Sequence, residues 1–205
     1  MTLIEWFKGT DLIADPGSQY SYSNPGYTML TVILENLSNK NHEQFLRDTF
    51  FTKLNLNSTG YRFPKNPLAI SYDNGKRIGT PTEMPWAPDG PYYNLRGGGG
   101  IISTLDDLYI WFSKLYKGQV LNAENTKRMF SKQAVEGENS WYGYDWHIIE
   151  DEKGEWIDHS GSDGYKFTDL RYFKSKDVLL LFTTNNFKID EVQTIVQEIP
   201  KIMDI

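Results

Sequence analysis

Apolar residues between Tyr27 and Leu37 fall on nearly every face of a helix. Tyr27, Leu30, Leu34 and Leu37 keep helical spacing, while Met29, Val32 and Ile33 fill the other side. A helix apolar all round is predicted to be buried, and Pro25-Gly26 opens it. A second helix is predicted from about His42 to Thr52, with Phe45, Leu46, Thr49 and Phe50 inward. Periodicity is lost from Tyr61 to Gly100, where six of the nine prolines fall and Gly97 to Gly100 close the stretch. Proline removes backbone donors, so a long irregular loop is expected, and such loops in compact domains are more often functional than filler. Asp73-Asn74-Gly75 marks a hairpin turn within it. Ser103-Thr104-Leu105-Asp106 has the form of a capping box. The stripe Leu105, Leu108, Trp111, Phe112 and Leu115 then predicts a helix ended by Gly118, and a short helix is expected after Asn122.

The last third reads as an antiparallel meander of strands. Tyr142 to Ile149 alternates, Asp151 to Gly154 turns and Trp156 to His159 returns. Tyr165 to Phe173 forms the next strand, Lys174 to Asp177 turns, and Val178 to Thr184 forms another. A terminal helix from about Asp190 to Met203, with Val192, Ile195, Val196 and Ile199 on one stripe, is expected to cover a sheet face. Helices first and an antiparallel sheet last predict an α+β fold. One domain over 1–205 is expected, helical and loop-rich over 1–135, with the sheet and terminal helix over 136–205.

Composition narrows the chemistry. The chain has 205 residues, 39% hydrophobic, enough for a sizeable core. The net charge of −6 comes from interspersed acids and bases, and the absence of a basic stripe argues against nucleic acid. With no cysteine, disulfides, thiol nucleophiles and cysteine-held zinc are excluded. Glu5 and Lys8 interrupt the opening residues, so no signal peptide is expected there. The longest aliphatic run, Val178 to Phe182, is too short to span a bilayer, so a soluble chain of unassigned compartment is expected.

Two short strings carry the candidate chemistry. In Tyr22-Ser23-Asn24, just before the first helix, a phenol and an amide can be held rigidly toward one cleft. A tyrosine acts as a general base only when cations lower its pKa from about 10, and the Asn24 amide can both donate and accept. The alternative is a turn-rich loop in which Asn24 simply caps the helix. His159-Ser160-Gly161 ends a strand, with His159 and Gly161 on one face and Ser160 on the other, so Asp158, His159 and Ser160 cannot form a triad. Gly161 lets a ligand backbone come close; the alternative is a structural histidine at a strand end. His42, His147 and His159 are scattered, so no metal is expected. No Gly-x-Ser-x-Gly elbow, Walker loop or dinucleotide fingerprint is present, and no cofactor is implied. Six tryptophans could suggest a carbohydrate platform, but Trp111 lies on a helix stripe and most others read as core.

In order along the chain, these strings resemble the second and third active-site motifs of the serine β-lactamase and penicillin-binding-protein superfamily. Pro16 to Leu37 is similar to the Tyr-x-Asn region of class C β-lactamases, D-alanyl-D-alanine carboxypeptidases and related esterases. Leu54 to Thr59 resembles a further segment of that family, in divergent form. Gly98 to Leu108 resembles its Gly-Gly-x-x-Ser-Thr-x-x-Asp-Leu signature. Tyr142-Gly143-Tyr144-Asp145-Trp146, His159-Ser160-Gly161, Gly164-Tyr165 and Thr183-Thr184-Asn185 match its C-terminal strands.

The resemblance implies that Tyr22 is the general base or proton shuttle and that Asn24 binds the substrate's amide carbonyl. It puts His159 where many members have lysine, makes Ser160 a substrate contact, and gives the oxyanion hole the backbone N–H of Ser162. The family's nucleophile lies in Ser-x-x-Lys, and no Ser or Thr here has a Lys three positions on. The expectation is therefore part of a serine hydrolase acting on a small-molecule or peptide substrate, nearly inert alone. A non-catalytic binding protein that keeps the cleft, and one half of a split enzyme, are the alternatives. Without neighbouring strands, the edge at Val178 to Thr184 is expected to pair with a second copy or with a missing N-terminal segment.

Overall fold

The computed structural model describes residues 11–61, 67–83, 96–186 and 188–204. The chain divides into two compact units, Met1–Asn66 with Pro85–Asp107, and Pro67–Met84 with Leu108–Ile205.

In the first unit, α1 spans Asn24–Ser38 and ends at Asn39 in the left-handed region. Its exposure corrects the expectation of all-round burial: Thr28 and Thr31 are the buried positions, while Leu30, Ile33 and Leu37 are exposed. The reason is backbone approach. The threonine hydroxyls bond back to the Asn24 and Tyr27 carbonyls, which makes them tolerable inside, and a small face lets the Gly97 turn come close. α2, His42–Leu46, is capped by the Asn41 side chain and runs on through a π-helical turn, Arg47–Phe51, and a last turn, Thr52–Leu54. The wider turn rotates the inward face, so Phe51 is buried while the expected Phe45, Leu46, Thr49 and Phe50 are only half-buried. Gly60 and Ile102 form an antiparallel bridge that ties the two parts of this unit together.

In the second unit, β1 (Ser71–Asp73) and β2 (Lys76–Gly79) form the expected hairpin. Asn74 and Gly75 at its turn both take positive φ, 48° and 79°, as a type I′ turn demands. The expected helix after Ser103 is α3, Leu105–Tyr116. Thr104, not Ser103, bonds the N–H of the first turn, accepting from Asp107, which moves the capping box on by one residue. Gly118 follows at φ 68°, and α4 (Ala123–Met129) is capped by Asn122.

Six strands follow: β3 Ala134–Gly137, β4 Ser140–Tyr142, β5 His147–Asp151, β6 Gly154–Ser162, β7 Phe167–Phe173 and β8 Val178–Thr184. They lie in the sheet in that order, all antiparallel neighbours, as the meander predicts. The single alternating run expected from Tyr142 to Ile149 is broken. Gly143 donates to the Trp146 carbonyl across a tight turn, with Asp145 at φ 68°. The core gathers Phe112 and Leu115 of α3 with Trp146, Ile157, Leu170 and Tyr172. Phe112 lies 5.4 Å from both the Trp146 and Tyr172 rings, within the range where tilted aromatic pairs attract. α5, Ile189–Ile202, buries Val192 and Val196. No helix among the described residues is long and apolar enough to cross a membrane.

Candidate active site

The predicted site residues lie on two elements, one in each unit. Tyr22 and Asn24 belong to the first unit. Ser23 between them is the N-cap of α1: its φ is −146° and its Oγ accepts the Gly26 N–H at 3.0 Å. A capping serine fixes the entry of the chain. This corrects the alternative in which Asn24 caps; Asn24 is instead the first helical residue. Its side chain is exposed, as is the Tyr22 ring.

The glycine turn closes on this point. An ideal Cβ at Gly98 would sit 3.0 Å from the Asn24 carbonyl oxygen and 3.1 Å from its Cβ, and one at Gly97 only 2.1 Å from Thr31 Oγ1 and 2.6 Å from the Tyr27 carbonyl oxygen. Gly97 also takes φ 86°. Glycine is thus required at Gly97 on two grounds, and the turn rests against the helix end that carries Asn24.

His159, Ser160, Gly161 and Ser162 end β6 in the second unit. On one side they pair with Leu170, Asp169, Thr168 and Phe167 of β7. On the other, β5 begins at His147 opposite Asp158. The last four residues of β6 therefore run past β5, with a ladder neighbour among the described strands only in β7. Ser160, Gly161 and Ser162 are exposed, and a Cβ on Gly161 would meet nothing within 4 Å. A strand edge with open space above it offers N–H and C=O groups to an extended amide.

The His159 ring is held by residues the sequence reading left in strands and turns. Its Nε2 lies 3.2 Å from the Tyr142 hydroxyl, which donates to Asp145 Oδ1 at 3.2 Å; that carboxylate is 3.8 Å from Nε2. His147, bonded to Glu136 at 2.7 Å, stacks obliquely on His159 with ring centroids 5.6 Å apart. Burial pushes the His159 pKa below its ordinary value; Asp145 and Asp158 oppose the shift and His147 adds to it. The ring is therefore mostly neutral at pH 7. The Asp158 carboxylate accepts the Trp156 indole N–H, in keeping with the exclusion of a triad. Beside Ser160, Asp169 is 1% exposed and is paired with Arg171 at 2.9 Å. Its carboxyl is nonetheless raised by burial, with Arg171 countering. The signal for Asp145 was present in the sequence, because an aspartate flanked by aromatics after Tyr-Gly is a turn former able to adopt positive φ.

The family model named Beta-lactamase matches residues 2–195. The chain belongs to the Beta-lactamase family. Among curated relatives it is similar to Penicillin-binding protein 4* of Bacillus subtilis, 25% identical over 202 residues, which cover 92% of this chain and 45% of that protein. The chain thus spans less than half the length of that relative. Among solved structures it resembles the octameric penicillin-binding protein homologue from Pyrococcus abyssi, with TM-score 0.72, 23% identity and coverage of 85% of this chain and 40% of that one. It also resembles the D-amino acid amidase from Ochrobactrum anthropi SV3, with TM-score 0.73, 18% identity and coverage of 93% and 63%. At these identities the structural likeness speaks for the fold, and Beta-lactamase membership rests on the family model.

Proposed function

We propose that this Beta-lactamase-family chain is part of a serine hydrolase that opens an amide or ester through an acyl-enzyme. The observation that carries the reading is the overhang of β6 beyond β5, where Ser160, Gly161 and Ser162 lie exposed beside a histidine. An extended substrate amide pairs along that edge, Gly161 admits its backbone, and the Ser162 N–H supplies one oxyanion donor. Tyr22 serves as proton shuttle and Asn24 binds the amide carbonyl. β-Lactams, D-alanyl-D-alanine peptides and esters all present such a carbonyl, and the penicillin-binding and D-amino acid amidase names of its relatives favour an amide.

The 205 residues hold no Ser-x-x-Lys, so in this reading the acyl acceptor, its oxyanion donor and the lysine that lowers the tyrosine pKa lie outside this stretch. Losing members of a catalytic unit costs several powers of ten in rate, and this stretch alone is expected to be nearly inert. A second reading, a binding protein that keeps the cleft without the chemistry, draws on the neutral, tethered His159, a weak replacement for a lysine cation.

Intact-mass spectrometry separates the two. The 205-residue chain alone should form no adduct with a β-lactam or a fluorophosphonate. Supplied with a Ser-x-x-Lys segment from a Beta-lactamase-family relative, it should gain one adduct, on that serine, slowed about 100-fold by Tyr22→Phe. An adduct on the chain alone would show a nucleophile within these residues and overturn the account of a missing acyl acceptor; no adduct in the assembled form overturns the hydrolase reading.

A further inference from the structure

The glycine run at 97–100 was singled out in the sequence without a role, and in the first unit it ends a buried polar chain. The Gly97 N–H donates to the Tyr61 hydroxyl oxygen at 3.3 Å. That oxygen lies 3.3 Å from His42 Nδ1, and the two rings sit 5.6 Å apart. Both side chains are buried, Tyr61 at 3% and His42 at 8% exposure. The His42 backbone N–H is held by Glu35 Oε1 at 2.7 Å, and Glu35 pairs with Arg96, the residue before the turn, at 3.8 Å.

The direction of the chain follows from donor counting. Tyr61 has one hydrogen, and its oxygen already accepts from Gly97. Buried away from water, the hydroxyl must find an acceptor, and among the described residues the lone pair of a neutral His42 Nδ1 is the one in place. His42 is therefore assigned the tautomer with hydrogen on Nε2. A proton on Nδ1 would turn that acceptor into a donor, leave the Tyr61 hydrogen without its partner and weaken the bond that holds Gly97.

We propose that Tyr61 and His42 form a proton-gated clasp that seats the Gly97–Gly98 turn against Asn24, making them positioning residues for that side chain. The link to substrate rests on the hydrolase reading above, whereas the clasp stands on geometry alone. The turn has little freedom to shift independently, since Gly97 is wedged on Thr31 and Tyr27 and Gly98 on Asn24. The charged groups facing the pair fit a neutral, donating arrangement. Burial lowers the His42 pKa, Arg96 adds to the shift and Glu35 opposes it. Burial raises the Tyr61 pKa, with Glu43 adding to the shift and the Gly97 N–H and Arg96 opposing it. Because the folded pKa of His42 lies below the unfolded one, the clasp is complete above pH ~6.5 and opens as pH falls through the folded value.

NMR on the full 205-residue chain tests this without reading turnover. Long-range ¹H–¹⁵N spectra should show the Nε2–H tautomer of His42 at pH 7.5. On acidification His42, Gly97 and Asn24 should titrate with one shared midpoint below 6.5. Tyr61→Phe should speed exchange of the Gly97 amide by about tenfold or more. His42→Asn, whose Oδ1 can accept from Tyr61 but cannot titrate, should keep Gly97 protected and abolish the pH step. An Nδ1–H tautomer, a midpoint at or above 6.5, Gly97 and Asn24 resonances that ignore His42, or a pH step that survives His42→Asn overturns the clasp, and the last readout holds even if Tyr61→Phe does not fold. If the clasp titrates as stated but the assembled protein forms no acyl adduct, only the hydrolase reading falls; an adduct without the shared midpoint removes only the clasp.

Discussion

Asp107 is 8% exposed, yet its Oδ2 accepts the Ser58 N–H at 2.8 Å and the Thr59 hydroxyl at 2.7 Å. The Thr59 hydroxyl in turn shares a hydrogen bond with Ser103. One carboxylate thus joins two stretches nearly fifty residues apart, and its own N–H bonds the Thr104 cap. Asp107→Ala removes the acceptor of both bonds, one of them buried, and should cost about 2–3 kcal/mol in urea unfolding; Asp107→Asn, which keeps one acceptor, should cost less. His159 gives the residue scale its pH dependence. Its folded pKa is lowered, so its contribution to stability is present above pH ~6.5 and is lost as pH falls through the folded value. By ring NMR, Asp145→Asn should lower the His159 midpoint further, since it removes the larger of the two charges that oppose the shift, and His147→Gln should raise it. Shifts of the opposite sign would mean that these neighbours do not set the field at His159.

Gly97→Ala and Gly99→Ala contrast two positions within one turn. The first places a methyl 2.1 Å from Thr31 Oγ1 at φ 86° and should cost at least about 2 kcal/mol, from positive φ and overlap together. The second meets nothing within 4 Å and should be neutral to within about 0.5 kcal/mol; thermal unfolding of the pair checks both. Where local chemistry decides an element, the sequence was readable: Asn74-Gly75 sets its turn, Asn122 caps α4, and turn residues on either side of apolar stretches bound β6 to β8. Where tertiary contact decides, it was not. The π-helical turn at Arg47–Phe51 leaves no periodic trace, and the buried threonines of α1 look polar until the glycine turn packs on them. The turn that breaks the run at Gly143 packs against α4, where a Cβ on Gly143 would lie 2.5 Å from the Met129 carbonyl oxygen. Of the site, the two motif strings were visible as residues, but the Tyr142–Asp145 hold on His159 depends on a turn that brings strand ends together. The overhang of β6 depends on where β5 starts, which alternation alone does not fix.

At the scale of the whole molecule, β8 is an end strand of the sheet among the described strands, and Val178 to Thr184 carries neither proline nor charge. Such an edge invites a further strand, so light scattering after size exclusion at low micromolar concentration should find a dimer, or material soluble only with an added N-terminal segment. A stable monomer would mean the edge is covered within the chain. The order of the sheet has another consequence, for how the chain reaches this state. Every ladder from β3 to β8 joins sequence neighbours, across the short connections 138–139, 143–146, 152–153, 163–166 and 174–177. The entropy lost in closing such loops is small, and low contact order goes with rapid folding. The first unit instead waits on the Gly60–Ile102 bridge, which requires a far longer loop to close. In pulsed hydrogen exchange during refolding, amides of β6 and β7 should therefore gain protection before those of Gly60 and Ile102, so that the strand bearing His159 is formed before the glycine turn is tied down.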